Sequence, residues 1–246
     1  ADAHATYIQD YSINRNASVV RTGTTHSCAI DTSGDVQCWG EGAEGQLGNG
    51  ATSDSRVPVN VSLPSGAKAV DLALGDEHSC ALLTNGSVMC WGDGSYGQLG
   101  AGWATTSSTT PVYTSVLGSS ARTGVAITSG YFHTCVLLDD GSVVCWGYNG
   151  WGAIGTGSFT NMLVPTYVQT LSSGSSTTAT SVDAGYGHTC AITNNGLKCW
   201  GRADAGQLGD GQTLYNRPTP QTVGSFGTGI SAVNITAGWQ HTCASL

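Results

Sequence analysis

The chain has 246 residues, with 8 Lys and Arg against 16 Asp and Glu and a formal net charge of −8. This charge would repel the phosphates of nucleic acids and of anionic membranes, so neither is predicted as a partner. No apolar run approaches the roughly 20 residues of a membrane-spanning helix, so membrane insertion is not predicted. Charged residues make up 10% of the chain, but 39% are hydrophobic. That proportion argues against disorder.

A repeated segment organises the chain. It reads "HSCAIDTSGDVQCWG" from His26, returns from His78, His133 and His188, and opens a fifth time as "HTCASL" at His241. The tryptophans that end the four complete segments are 52, 55 and 54 residues apart: Trp39, Trp91, Trp146 and Trp200. Such a period accommodates about four short strands with their turns.

Each repeat is interpreted as four strands in succession. The first ends in glycine, as in "AVDLALG" at 69–75, and the second begins at the histidine. A tight turn leads to a third strand of the type VxCWG, and a glycine-rich loop follows. A proline-marked stretch such as "RVPVNV" at 56–61 suits an outer strand, where a missing N–H is tolerated. The sequence therefore predicts an all-β fold, a β-propeller of four-stranded blades, with a solenoid of stacked hairpins as the lesser alternative.

The motif GxxHxCAL, followed by a turn and VxCWGxNxxGQLG, resembles the repeats of the regulator of chromosome condensation family (RCC1-like repeats). The resemblance covers nearly the whole chain and implies a propeller, most often of seven blades. The third repeat departs from it, with "GAIG" at 152–155 where the others have GQLG. The resemblance does not imply the nucleotide exchange of the family's namesake, because related propellers serve as exchange factors, enzyme inhibitors, receptors and scaffolds.

The repeats predict a single propeller domain over residues 1–246. Their bounds are predicted near 6–57, 58–111, 112–166 and 167–219, with a partial repeat at 220–246. The amino end is expected to supply an outer strand, because "TYIQ" at 6–9 resembles "TYVQ" at 166–169. Three arrangements stay open: a closed five-bladed ring, part of a longer propeller, or an unfinished blade that a neighbouring subunit completes.

The two cysteines of each hairpin are predicted to form a disulfide. Pairing about the first turn sets Cys28 opposite Cys38, and opposed residues of antiparallel strands lie within bridging distance. In the fourth hairpin the spacing is nine instead of ten, and a shorter turn restores the opposition. A zinc site that includes His26 is the weaker alternative, because no copy offers a fourth ligand. The predicted disulfides are Cys28–Cys38, Cys80–Cys90, Cys135–Cys145 and Cys190–Cys199.

These pairings bear on location and on the ninth cysteine. Four disulfides are typical of an oxidising compartment, so we predict an extracellular or cell-surface protein. The repeat would place the partner of Cys243 near position 253, so this thiol is predicted to be free or joined to another chain. NxS/T sequons mark four candidate glycosylation sites, Asn16, Asn60, Asn85 and Asn234.

Aromatic residues occupy the loops that follow the first and third strands of the repeats. In an up-and-down blade these loops emerge on the same face, so we expect the rings to lie near one another. Aromatic side chains are common anchors of interfaces, although the rings would also serve to pack between blades. The candidate binding face consists of Tyr96, Tyr131, Phe132, Tyr148, Trp151, Tyr186 and Trp239.

An enzymatic role has little support in the sequence. The motifs GxSxG, HExxH and the P-loop are not found, and the GxGxxG matches lack a βαβ context. The repeated histidines are interpreted as structural hydrogen-bonding residues, expected to bond the backbone. We therefore predict a non-enzymatic module without a cofactor that binds a protein or a glycan. The alternative is a structural subunit of an extracellular filament or surface assembly.

Overall fold

The computed structural model describes residues 16–103, 107–117, 122–224 and 231–246. In these ranges the chain forms 18 β-strands in five antiparallel sheets. The first sheet contains β1 Ala17–Thr22, β2 His26–Asp31, β3 Val36–Gly40 and β4 Ser55–Asn60. The second contains β5 Ala69–Leu74, β6 His78–Leu83, β7 Val88–Gly92 and β8 Ser108–Tyr113. The third contains β9 Gly124–Ser129, β10 His133–Leu138, β11 Val143–Gly147 and β12 Met162–Tyr167. The fourth contains β13 Ala179–Ala184, β14 His188–Thr193, β15 Gly196–Gly201 and β16 Arg217–Thr222, and the fifth contains β17 Asn234–Ala237 and β18 Thr242–Ser245.

Each four-stranded sheet is a meander in which sequence neighbours pair. The outer strands β4, β8, β12 and β16 carry prolines and are mostly exposed or half-buried. The central strands of the middle sheets, such as β6 and β10, are buried along their whole length. The prolines therefore lie on outer strands, where a missing N–H is tolerated.

The core lies between successive sheets. Four apolar clusters fill the spaces between the first and second, second and third, third and fourth, and fourth and fifth sheets. The inner strands of neighbouring sheets contact one another, from β1 and β5 to β13 and β17. The fold is therefore an all-β propeller of four-stranded blades, as the sequence predicts.

The structure contains the four predicted disulfides. Cys28 lies opposite Cys38 in the strand register, and Cys190 lies opposite Cys199 despite the shorter spacing. The bonded cysteines have Cα–Cα distances of 4.1 Å. Cys243 is free and exposed on β18.

Several predictions on organisation stay predictions. The single domain over 1–246 and the repeat bounds are among them, and the expected outer strand at 6–9 lies outside the described residues. No helix in the described part of the chain is long and apolar enough to cross a membrane.

Candidate binding face

The loops that follow the first and third strands carry the candidate binding residues. The two residues between the recurring glycine and the histidine are Thr-Thr in the first sheet, Asp-Glu in the second, Tyr-Phe in the third, Tyr-Gly in the fourth and Trp-Gln in the fifth. Backbone hydrogen bonds link these loops from one sheet to the next, as from Tyr131 N to the carbonyl of Tyr186 at 3.2 Å. The backbone of these loops is thus the same from sheet to sheet, whereas the side chains between the glycine and the histidine change from acidic in the second sheet to aromatic in the third to fifth sheets.

All seven predicted aromatic residues join one continuous set of ring contacts, called the aromatic face from here on. Tyr186 stacks on Trp239 with 4.2 Å between ring centroids and an interplanar angle of 23°. Tyr131 contacts Phe132 at 4.3 Å and Tyr186 at 4.5 Å. The remaining contacts extend the set to Tyr96, Tyr148 and Trp151.

The rings combine mutual packing with access to solvent. Trp239 is 55% exposed and Tyr96 is 40% exposed, and the other five rings are half-buried. Edge-to-face and offset contacts between rings are favourable by about 0.5–1.5 kcal/mol each beyond their buried area. The aromatic face is therefore ordered before a ligand arrives, which reduces the entropy that binding would cost.

An arginine that the sequence interpretation did not single out lies over the aromatic face. The guanidinium carbon of Arg202 is 5.6 Å from the ring centroid of Trp151 and 5.5 Å from that of Tyr186. Its nitrogens also contact Asp204 at 2.6 and 2.9 Å. Arg202 occupies the loop position of Tyr148 in the preceding repeat, and that alignment is the signal that could have found it.

Carboxylates occupy the equivalent loops of the first two sheets. They form the acidic cluster, which consists of Glu41, Glu44, Asp76, Glu77 and Asp93. Burial raises the pKa of Glu77, and the neighbouring carboxylates raise it further. Among the described residues, no ion pair joins a cation to this cluster. The cluster therefore produces a local negative potential that favours a positively charged ligand.

The acidic cluster and the aromatic face meet in an open cavity of about 440 Å³, lined by Glu44, Glu77, Asp93, Ser95, Tyr96, Ser107 and Phe132. A hydrogen bond to the carboxylate of Asp76 raises the pKa of Tyr131. The Asp93 carboxylate accepts hydrogen bonds from Ser95 at 2.9 Å and from Gln98 at 2.6 Å. Within the lining, the Asp93 carboxylate is thus held in place by side chains of its own loop.

The repeated histidines connect the sheets and do not reach this face. Four of them place Nε2 within hydrogen-bond distance of a hydroxyl on the next sheet: His26 to Ser79 at 2.7 Å, and His78 to Thr134, His133 to Thr189 and His188 to Thr242 at 2.9 Å each. The partner of each Nε2 is a side chain of another blade, and His26 also has the backbone hydrogen bond, to Asp76, that the sequence had suggested. Burial lowers the pKa to about 3 for His78 and His133, and to about 4 for His26 and His188. These imidazoles are therefore neutral structural groups at neutral pH.

Two other sets of predicted residues are placed by the structure. Asn16, Asn60, Asn85 and Asn234 are all exposed, so each sequon is accessible and glycosylation stays a prediction. The thiols of the zinc alternative are consumed in disulfides. Within the part of the chain that the structure describes, no group of three His, Cys, Asp or Glu side chains is arranged to hold a metal ion.

The chain belongs to the RCC1-like domain family, whose sequence profile matches residues 6–246. It is similar to the ultraviolet-B receptor UVR8 of Arabidopsis thaliana, with 32% identity over 226 residues, which are 92% of this chain and 50% of that protein. The chain thus spans half the length of this relative.

Solved structures with the same fold extend the likeness. Human WBSCR16 superposes with a TM-score of 0.83 at 24% identity, over 96% of this chain and 59% of that one. Prp20p from Saccharomyces cerevisiae superposes with a TM-score of 0.81 at 21% identity, over 95% of this chain and 56% of that one. At these identities the two crystal structures establish the fold alone.

Proposed function

We propose that this chain is a non-enzymatic protein-binding module. Its ligand is a partner segment that carries basic side chains beside an aromatic or aliphatic one. The observation that carries the proposal is the cavity of about 440 Å³ in which the acidic cluster meets the aromatic face. A Lys or Arg in this cavity gains both carboxylate partners and the face of an aromatic ring.

A binding role suits the composition of the surface. Tyr and Trp are enriched among the residues that dominate interface energies, and loops on a rigid scaffold commonly carry binding. Histidine is the side chain most often used for proton transfer, and four of the repeated histidines, His26, His78, His133 and His188, are buried and hydrogen-bonded between sheets. The face therefore offers groups that recognise a ligand rather than groups that would transform one.

The proposed location is extracellular or at the cell surface. Four disulfides within one chain are typical of oxidising compartments. The four exposed sequons are compatible with that location and with glycosylation. The observation of the same disulfides in protein purified from its natural compartment, under conditions that block thiol exchange, would test this proposal.

Binding is tested with a defined probe, the labelled peptide Lys-Trp-Lys-Ser-Lys-Trp-Lys, against a counterpart in which Gln replaces each Lys. We expect the basic peptide to bind more tightly, by about tenfold, and added salt to reduce the difference because the charges are partly exposed. Glu77→Gln should weaken binding of the basic peptide. Asp71→Asn, which changes a carboxylate paired with Arg21 at 2.7 Å, is the matched control.

Equal affinity for the basic and neutral peptides would contradict the proposal for the acidic cluster. Tighter binding of a neutral oligosaccharide than of either peptide would favour the glycan ligand that the sequence left open. Anisotropy titrations of all three probes under one buffer condition separate these outcomes.

A second candidate function is a structural subunit of an extracellular assembly. It is favoured by β18, which pairs with β17 and with no other strand of the described residues. An unpaired strand edge is a template for pairing with another chain. Negative-stain images of the non-reduced protein would show filaments under this proposal and single compact particles under the first.

A further inference from the structure

Arg202 places a positive charge over two rings of the aromatic face. Its guanidinium carbon lies 5.6 Å from the ring centroid of Trp151 and 5.5 Å from that of Tyr186. Both distances fall within the range of about 6 Å in which a cation is attracted to the face of an aromatic ring. The side chain of Arg202 is 21% exposed, so its neighbours cover most of it. The two rings therefore form a cation site that this chain fills with its own side chain.

A missing side chain brings these two rings together. Gly187 stands at the repeat position that carries a side chain in the other four sheets, where the residues are Thr25, Glu77, Phe132 and Gln240. A Cβ atom on Gly187 would lie 2.6 Å from Cε3 of the Trp151 ring. With glycine at this position, the ring centroids of Trp151 and Tyr186 approach to 5.0 Å. The site is thus particular to the junction of the third and fourth sheets.

Contacts that do not involve the guanidinium support both rings. Tyr186 stacks on Trp239 with 4.2 Å between ring centroids, and Trp151 contacts Tyr148 at 5.0 Å. The backbone N–H of Arg202 donates to a carbonyl of the loop after β13 at 2.8 Å, which holds the loop without help from the side chain. We therefore expect a substitution of Arg202 to change the occupant of the site and to keep its walls.

Asp204 holds the guanidinium from within the same loop. Its carboxylate accepts hydrogen bonds from Nε of Arg202 at 2.9 Å and from Nη2 at 2.6 Å. Because the arginine is tethered beside the rings, its effective concentration at the site is high, and a cation from a partner competes with it poorly. The site over the two rings is therefore closed to a partner's cation.

The acidic cluster provides the opposite arrangement on the same face. The repeat position of Arg202 is occupied by Glu41 in the first sheet and by Asp93 in the second. The rings beside this cluster are those of Tyr96 and Phe132. Among the described residues, no ion pair brings a Lys or Arg side chain to these carboxylates. The described face thus combines an open cation site with a filled one.

We propose that Arg202 is a specificity-determining residue of the aromatic face. By filling the site over Trp151 and Tyr186, it directs the cation of a partner to the acidic cavity and leaves the rings of the third to fifth sheets for the partner's uncharged side chain. Exclusion of one arrangement is a common source of specificity. The inference rests on the proposed function for the natural partner, but the site that Arg202 closes can be tested without that partner.

The first test uses tetramethylammonium, a small cation that binds aromatic rings without a carboxylate. Its binding is followed in the indole N–H signals of the protein by nuclear magnetic resonance, and the signal of Trp151 is assigned by its loss in Trp151→Leu. At this signal we expect the apparent dissociation constant to be about tenfold lower in Arg202→Ala than in the parent protein. The addition of Tyr186→Leu should remove the gain, because the second ring of the site is then lost.

The second test counts the cations that a peptide can use. It compares Lys-Trp-Lys-Ser-Lys-Trp-Lys with a half-neutral counterpart, Lys-Trp-Lys-Ser-Gln-Trp-Gln. In the parent protein the additional lysines should tighten binding by less than about threefold, whereas in Arg202→Gln they should tighten it by about tenfold. Arg202→Lys keeps a cation over the rings and should behave as the parent protein does.

Arg217→Gln is the matched control for charge. Arg217 pairs with Asp210 at 3.0 Å in the same sheet but does not belong to the aromatic face. Its substitution removes one positive charge, as Arg202→Gln does, and should leave the ratio of the two peptide affinities at the parental value.

Three results would contradict the account. Equal affinity of the parent protein and Arg202→Ala for tetramethylammonium, or a gain that survives Tyr186→Leu, would show that Arg202 closes no cation site and would overturn the proposal. Equal effects of Arg202→Gln and Arg217→Gln on the peptide ratio would also overturn it, because a general change of charge would then explain both. A parent protein that binds neither peptide would contradict the proposed function, and the tetramethylammonium titration would still decide whether Arg202 closes the site.

Discussion

Residues that recur at one position of every repeat connect neighbouring blades. His78 contacts the hydroxyl of Thr134 in the next sheet at 2.9 Å, and a Cβ atom on Gly75 or Gly130 would collide with a histidine ring. The glycine before each loop therefore provides the room that the ring needs. The histidine and the glycine therefore recur at one position of the repeat because they serve the contacts between neighbouring blades.

The buried histidines make stability depend on pH. An unfolded histidine takes up a proton near pH 6.5, whereas folded His78 does so only near pH 3, because burial lowers its pKa. Between these pH values the unfolded state binds more protons, so the free energy of unfolding falls as the pH falls through this window.

We predict that His78→Gln reduces this pH dependence. Between pH 7.5 and pH 5, the loss in free energy of unfolding should be smaller than in the parent protein by about 2 kcal/mol. Denaturant unfolding of both proteins at both pH values measures this difference in the loss of free energy of unfolding. An equal loss in His78→Gln and in the parent protein would contradict the assignment.

At the scale of elements, the hairpin is the repeated stabilised unit. Its disulfide joins directly opposed residues of two central strands that are buried within the propeller. The bond closes a short loop and so contributes at the lower end of the usual range, about 2 kcal/mol. This stabilisation adds to the stabilisation from the apolar clusters between sheets.

We predict that the double substitution Cys135→Ala with Cys145→Ala lowers the free energy of unfolding by about 2–4 kcal/mol, because the loop constraint and buried sulfur contacts are lost. Cys243→Ser alters an exposed thiol and should change the free energy of unfolding by less than about 0.5 kcal/mol. Unfolding in denaturant without reductant compares the three proteins. A double variant as stable as the parent would show that this disulfide does not stabilise the fold.

The register of these hairpins could be predicted because it is a local property. The cysteine spacing and the turn length together determine which residues face each other, even where the fourth hairpin is one residue shorter. The packing site of the Trp91 indole could not be predicted in the same way. Its partner is the carbonyl of Gln46 on another sheet, and pairing within one repeat carries no information on contacts between blades.

At the scale of the whole molecule, two loops of each blade combine into one surface. The sequence predicted that the seven aromatic residues lie together, because antiparallel strands return their alternate loops to the same side. It did not single out Arg202, Glu77 or Asp93 as members of that surface, since charged loop residues are common on any domain. The aligned loop positions contained the signal, because acidic residues precede aromatic ones in chain order.

The surface that results is divided by chemistry. The first two sheets contribute carboxylates, and the third to fifth contribute rings, with Tyr96 and Phe132 at the boundary. A partner with a basic side chain near an apolar one can contact both regions at once. Such a partner would be distinguished from an acidic segment, which the carboxylates repel.

The most direct test of the proposed function measures the dissociation constant of the labelled peptide Lys-Trp-Lys-Ser-Lys-Trp-Lys for two variants of the protein, Trp239→Ala and Trp103→Ala. Both tryptophans are substantially exposed, at 55% and 43%, but only Trp239 belongs to the aromatic face. We expect Trp239→Ala to weaken binding about tenfold and Trp103→Ala by less than about twofold, because aromatic anchors of an interface dominate its binding energy. Equal effects of the two substitutions, or none, would contradict the assignment of this face as the binding site.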